Sequence, residues 1–148
     1  MSEIIKVKKI SSNAKLPSRA TEGSAGADLF ACMDEPLTLR PGELACLPTG
    51  IAIELKDKGM AAFIFARSGL GVKHGIALSN GVGVIDSDYR GEIKVGLCNI
   101  SNKEYTIQPQ ERIAQLVLMP VFLANFAETE NLSPTKRGKG GFGSTGRE

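Results

Sequence analysis

Arg67, Ser68 and Gly69, opening the stretch RSGLGVKHG, set a guanidinium, a hydroxyl and a run of backbone N–H groups side by side. At the start of a helical turn that set suits a phosphate oxygen. The same residues equally make a capped turn whose arginine pairs with a carboxylate. A second stretch, NGVGVIDSDYRGE at 80–92, places Asp86 directly after the apolar Val84 and Ile85. A carboxylate at the mouth of a pocket can take a proton from an attacking water, although turn chemistry alone accounts for both Asp86 and Asp88. Tyr89 offers a flat face to a sugar or base, or else fills a half-buried strand position. Asp28, inside AGADLFA, either holds a metal-bound water or satisfies buried backbone donors. In the tail, Lys136, Arg137 and Lys139 surround a glycine run that ends in Phe142. That is either a lid for an anionic, aromatic ligand or a plain basic end. The single His74 reads as structural, because no serine or cysteine nucleophile with an acid partner accompanies it.

These residues need a frame, and the frame reads as β. Ile51, Ile53 and Leu55 alternate with Ala52, Glu54 and Lys56, as Ile93, Val95 and Leu97 do with Glu92, Lys94 and Gly96. Further strands are expected at 4–9, 28–32, 44–47, 60–65, 105–107 and 113–119, punctuated by Pro36, Pro41-Gly42, Lys58-Gly59 and Gln108-Pro109. Segments 82–85 and 92–97 are expected to fold back on each other over the turn that carries Asp86. A short helix over 68–74 would be capped by Ser68 and ended by Gly75. Strands this short and frequent indicate a sandwich, jelly roll or barrel. The last twenty residues carry too little apolar surface to anchor an element and are expected to form a mobile tail.

Composition excludes several classes. A chain of 148 residues with 42% hydrophobic content fits one domain with a real core. A net charge of +2 gives no broad cationic face, and two Tyr, six Phe and no Trp leave little stacking surface, so no nucleic acid partner is expected. Cys32, Cys46 and Cys98 match neither a disulfide framework nor zinc spacing, which points to a reducing compartment. No apolar run of about 18 residues occurs, so no membrane segment is expected and the location is read as cytoplasmic. The glycine-rich stretches fit neither the Walker nor the dinucleotide pattern.

Taken in order, AGADLFA, RSGLGVKHG, NGVGVIDSDYRGE, Arg112-Ile113-Ala114-Gln115-Leu116 and RGKGGFGSTG resemble the five signature motifs of the homotrimeric dUTP pyrophosphatase family. Each is weak alone; five in order over nearly the whole chain are specific. The resemblance implies an all-β, jelly-roll-like distorted barrel with one short helix over 1–128, and a flexible tail over 129–148 that closes over the active site. It implies a homotrimer whose active sites are shared between subunits. The implied reaction is hydrolysis of dUTP to dUMP and pyrophosphate, which keeps uracil out of DNA and supplies dUMP for thymidylate synthesis. Asp86 would orient and deprotonate the water that attacks the α-phosphorus, with Mg2+ bridging the triphosphate oxygens. A triphosphate repels an anionic nucleophile, so charge must be neutralised where it builds up. Arg67, Ser68, Gly69, Gln115 and Arg137 would do this from the protein, and Asp28 would act on the metal through water.

By the same resemblance, Asn80, Val84 and Ile85 would meet the uracil edge and exclude a 5-methyl group. Cytosine would leave buried backbone partners unpaired at about 1–3 kcal/mol per group. Tyr89 would lie beneath the deoxyribose and exclude a 2′-hydroxyl. Phe142 would stack on uracil, while Gly143 and Lys94 would add backbone contacts. One departure is Gln110, where many family members have glycine, and it is expected to alter the turn entering the following strand. Two rival readings share this fold: a dCTP deaminase-like enzyme, and a nucleotide-binding regulatory protein that does not hydrolyse. Asp86 argues against the second, since binding alone needs no general base.

Overall fold

Apolar residues on alternate positions of short segments leave the chain one way to bury them, as antiparallel strands around a shared core. The computed structural model describes residues 4–141. Among them are eleven strands: β1 (Lys6–Lys9), β2 (Ala27–Phe30), β3 (Leu37–Leu39), β4 (Leu44–Pro48), β5 (Ile51–Glu54), β6 (Met60–Phe65), β7 (Ile76–Leu78), β8 (Gly83–Ile85), β9 (Lys94–Asn99), β10 (Tyr105–Ile107) and β11 (Arg112–Pro120). One helix, α1 (Ser68–His74), lies between β6 and β7. A four-stranded sheet runs β2-β11-β6-β8, a three-stranded sheet runs β4-β9-β7, and β1-β5 and β10-β3 form pairs. The result is a jelly-roll-like β fold, as expected. No helix among the described residues is long and apolar enough to cross a membrane.

Inward rows of these sheets form the core, with Leu29, Ile51, Ile76, Ile93, Leu97 and Ile113 almost fully enclosed. Asn99 is buried with them and fully paired. Its Nδ2 donates to Leu39 O and Lys103 O, and its Oδ1 accepts from the Ser101 backbone N–H and hydroxyl. Satisfying every polar atom is what allows a buried amide in such a core.

Several expectations need correction. Segments 82–85 and 92–97 are not a hairpin: β8 pairs with β6, whereas β9 pairs with β4 and β7. The cause is Ile93, which is buried and donates its N–H to Ile51 O at 2.8 Å, so the chain is drawn onto β5 before β9 begins. Strands β3 and β7 were not expected; at three residues each they are too short to show a period. Ala52, assigned to the polar side of its strand, is buried like its neighbours. Ser68 does not cap the helix: Arg67 occupies that position, without a side-chain cap bond, and Ser68 is the first helical residue. Gly75 does end the helix, in the left-handed conformation at φ 67°.

Candidate functional site

Three adjacent strands assemble the first group of candidate residues. The register sets Gln115 of β11 opposite Asp28 of β2 on one side and Phe65 of β6 on the other. The chain then leaves β6 through Ala66 into Arg67 and α1, so the arginine arrives beside the same row. Arg67 Nε donates to Asp28 Oδ1 at 2.8 Å, and Arg112 donates to Asp28 Oδ2 at 3.2 Å. The carboxylate-pairing reading of Arg67 is therefore realised. Arg67 also lines a cavity of about 300 Å³ with Gly26, Asp28, Ser68 and Gln115. Gln115 Nε2 donates to Ala66 O at 2.9 Å. Gly26 makes room for it, since a β-carbon there would stand 2.5 Å from Gln115 Oε1.

Asp86 lies at a second cavity, of about 470 Å³, with Asn80, Val84, Ile85, Tyr89 and Lys94. The turn reading of Asp86 is realised, since its carbonyl accepts the Tyr89 N–H, and its side chain is exposed on the cavity wall. The loop carrying it is braced from within. Arg90 donates to Ser87 O at 2.8 Å and Tyr89 O at 2.9 Å, and the Tyr89 hydroxyl donates to Glu92 O at 2.9 Å. Glu92 in turn accepts the Gly50 N–H at 2.9 Å, tying the loop to the corner between β4 and β5. Tyr89 sits in this loop and not in a strand. β8 lies at the edge of its sheet, so one row of its backbone groups has no strand partner.

The two cavities have no lining residue in common. Gly69 follows Ser68 but lines neither. His74 also lines neither and packs against Tyr105, ring centres 4.7 Å apart. Arg137 is exposed in the tail, with Nε donating to Gly140 O. Phe142 and Gly143 lie outside the described residues. Sequence reasoning assigned no role to Gly26, Arg90, Glu92 or Arg112, although all four stand within the five motifs.

Among the described residues, no group of three or more His, Cys, Asp or Glu could enclose a metal ion. That donor set suits Mg2+ nonetheless, because magnesium keeps much of its water and is commonly held through substrate phosphates. Asp28 keeps unused lone pairs beyond its two guanidinium bonds and can accept from a metal-bound water.

The dUTPase family model matches residues 12–146. The deoxyuridine 5′-triphosphate nucleotidohydrolase of Aeromonas hydrophila is 53% identical over 140 residues, covering 95% of this chain and 92% of that one. That of Desulfitobacterium hafniense is 54% identical over 132 residues, covering 89% and 87%. The dUTPase of Staphylococcus bacteriophage 80alpha, solved with dUpNHpp, superposes with a TM-score of 0.87 at 28% identity over 98% of this chain and 99% of that one. With a family model spanning nearly the whole chain and relatives identical at more than half of the aligned positions, the chain belongs to the dUTPase family.

Proposed function

We propose that the protein hydrolyses dUTP to dUMP and pyrophosphate, as a homotrimer in which the Asp86 cavity of one chain faces the Arg67 cavity of another. The observation that supports this reading is that one chain sets Asp86 and Tyr89 at one cavity and Arg67, Ser68 and Gln115 at another, with no lining residue in common. The names of the relatives and the dUpNHpp held by the phage enzyme support dUTP as substrate. The trimer is further supported by the chain after β11, where Phe122 and Phe126 are almost fully exposed and need cover.

Uracil meets the free edge of β8 at Val84 and Ile85, with Asn80 beside it, and its alternating acceptors and donor pair with backbone groups. Cytosine reverses that pattern and leaves buried groups unpaired. Tyr89, fixed by its bond to Glu92 O, lies under the deoxyribose and fills the space of a 2′-hydroxyl. Lys94 adds a backbone contact. Arg67, the N–H groups at Ser68 and Gly69, and Gln115 take the phosphates of the triphosphate. Asp86 orients a water and removes its proton as the oxygen attacks the α-phosphorus. The tail closes the site and brings Arg137 to phosphate. Asp28 would help hold Mg2+ through water, and the metal when bound would supply neutralisation of the phosphate charge. The free thiols of Cys32, Cys46 and Cys98 support a cytoplasmic location.

Pyrophosphate release from dUTP, dCTP, dTTP and UTP, assayed in parallel with magnesium, tests the reading. Release from dUTP alone is expected. Ammonia from dCTP would identify a deaminase, and no reaction with any of the four would identify a non-hydrolysing regulatory protein.

A further inference from the structure

In an undisturbed strand, residues three apart face opposite sides of the sheet. Arg112 and Gln115 break that rule. The register between β11 and β2 shifts between Arg112 and Ala114, so that Arg112 stands opposite Phe30 while Gln115 stands opposite Asp28. Asp28 and Phe30 are two apart and share a face, and the bulge therefore delivers Arg112 to the same side as Gln115. Bulges that re-aim a side chain in this way concentrate beside active sites.

Among the described residues the side chain so delivered has one carboxylate partner, Asp28, which is 8% exposed and shared with Arg67. Arg112 also offers its backbone oxygen to Arg67 NH1 at 3.4 Å. Two of the five N–H donors of Arg67 are thus occupied, and the rest remain for an anion. A lone Asp28–Arg67 pair would be neutral and a poor attractor of phosphate. With Arg112 sharing the carboxylate, the cluster carries one net positive charge while Arg67 stays held in one orientation. Holding it in advance removes the ordering entropy that a free arginine would lose on binding.

We propose that Arg112 is a positioning residue for triphosphate binding, acting through Asp28 to orient Arg67 and to leave the cluster net positive. This rests on the reading of the Arg67 cavity as the phosphate site, and the test separates the two.

The affinity of the full-length protein for the non-hydrolysable analogue dUpNHpp with magnesium is compared with inhibition by 2′-deoxyuridine, which has no phosphate. Arg112→Ala is expected to weaken the analogue on the order of tenfold and leave deoxyuridine unchanged. Arg112→Lys, which restores the charge without the planar fork, is expected to recover most of the loss, and Arg112→Gln to recover little. In an Arg67→Ala background, Arg112→Ala is expected to add a clearly smaller loss, from the charge alone. Equal weakening of deoxyuridine, or the same additional loss without Arg67, would overturn the proposal, as would analogue affinity unaffected by Arg112→Ala. Should Arg112→Ala fail to fold, the contrast between the Lys and Gln variants decides: equal affinities overturn it. Full analogue affinity in Arg67→Ala would instead overturn the reading of the cavity itself.

Discussion

The ring of Tyr89 lies across Gly91: a β-carbon at position 91 would stand 2.6 Å from Tyr89 Cζ and 3.0 Å from Cε2. Glycine at 91 is therefore a condition for this placement of the ring, which is proposed to lie under the sugar. Gly91→Ala is expected to displace the ring and lower kcat/KM for dUTP about tenfold or more, narrowing its advantage over UTP. Parallel kinetics on dUTP and UTP check this; an unchanged ratio would remove Tyr89 from sugar selection.

Gly26 stands in a similar relation to Gln115, with contacts of 2.5 Å to Oε1 and 3.1 Å to Cβ for an added methyl group. Gly26→Ala should push the amide off Ala66 O and raise the KM for dUTP about tenfold. Because the damage passes through Gln115, adding Gly26→Ala to Gln115→Ala should change little. Additive losses would contradict this coupling.

Asp86→Asn keeps the shape of the side chain and removes its basicity. Affinity for dUpNHpp should stay within a few-fold of the original while turnover of dUTP falls on the order of 10²–10⁴-fold. Near-normal turnover would take the general-base role away from Asp86.

Most of the frame was legible because alternation survives in strands such as β9, where Val95 and Leu97 face the core and Lys94 faces solvent. What stayed hidden depended on neighbours distant in sequence. Ile93 is claimed by Ile51, which no local pattern between 80 and 97 announces, and so the expected hairpin was wrong. Arg112 was unreadable for a related reason: strict alternation places it on the face opposite Gln115, and only the bulge against β2 reverses that. Asp28, Arg67, Ser68 and Gln115 were legible as chemistry, and the structure gathers them at one cavity. Asn80, Val84, Ile85, Asp86, Tyr89 and Lys94 gather at the other.

The departure at Gln110 has a backbone consequence, since this residue adopts φ 64°, a left-handed conformation that glycine enters without strain. Its Nε2 donates to Asn13 O at 2.8 Å, but its Oε1 is buried without a partner among the described residues. Gln110→Gly is expected to raise stability by about 1 kcal/mol with activity unchanged, and Gln110→Ala to be less stable than Gln110→Gly. Denaturant melts of the three proteins check the order; destabilisation by glycine would mean that the bond to Asn13 outweighs the strain.

Burial, followed by the hydrogen bond to the Glu111 carboxylate, pushes the Tyr105 hydroxyl from its usual 10 up to about 12. The folded chain thus keeps this proton at a pH where the unfolded chain releases it. Its contribution to stability is complete below the unfolded value and is lost as pH rises from about 10 to about 12. Unfolding free energy should fall across that window more steeply in the original protein than in Tyr105→Phe, and parallel slopes would contradict the shift.

The Asp86 and Arg67 cavities of different chains are proposed to make one site, which mixing two inactive variants can reveal. Asp86→Asn and Arg67→Ala, each nearly inactive alone, are denatured together, refolded and assayed on dUTP. If sites form between chains, random assembly gives about one site in four with both residues intact, and activity returns to about that fraction of the original. If each chain contains its own complete site, the mixture stays as inactive as its components.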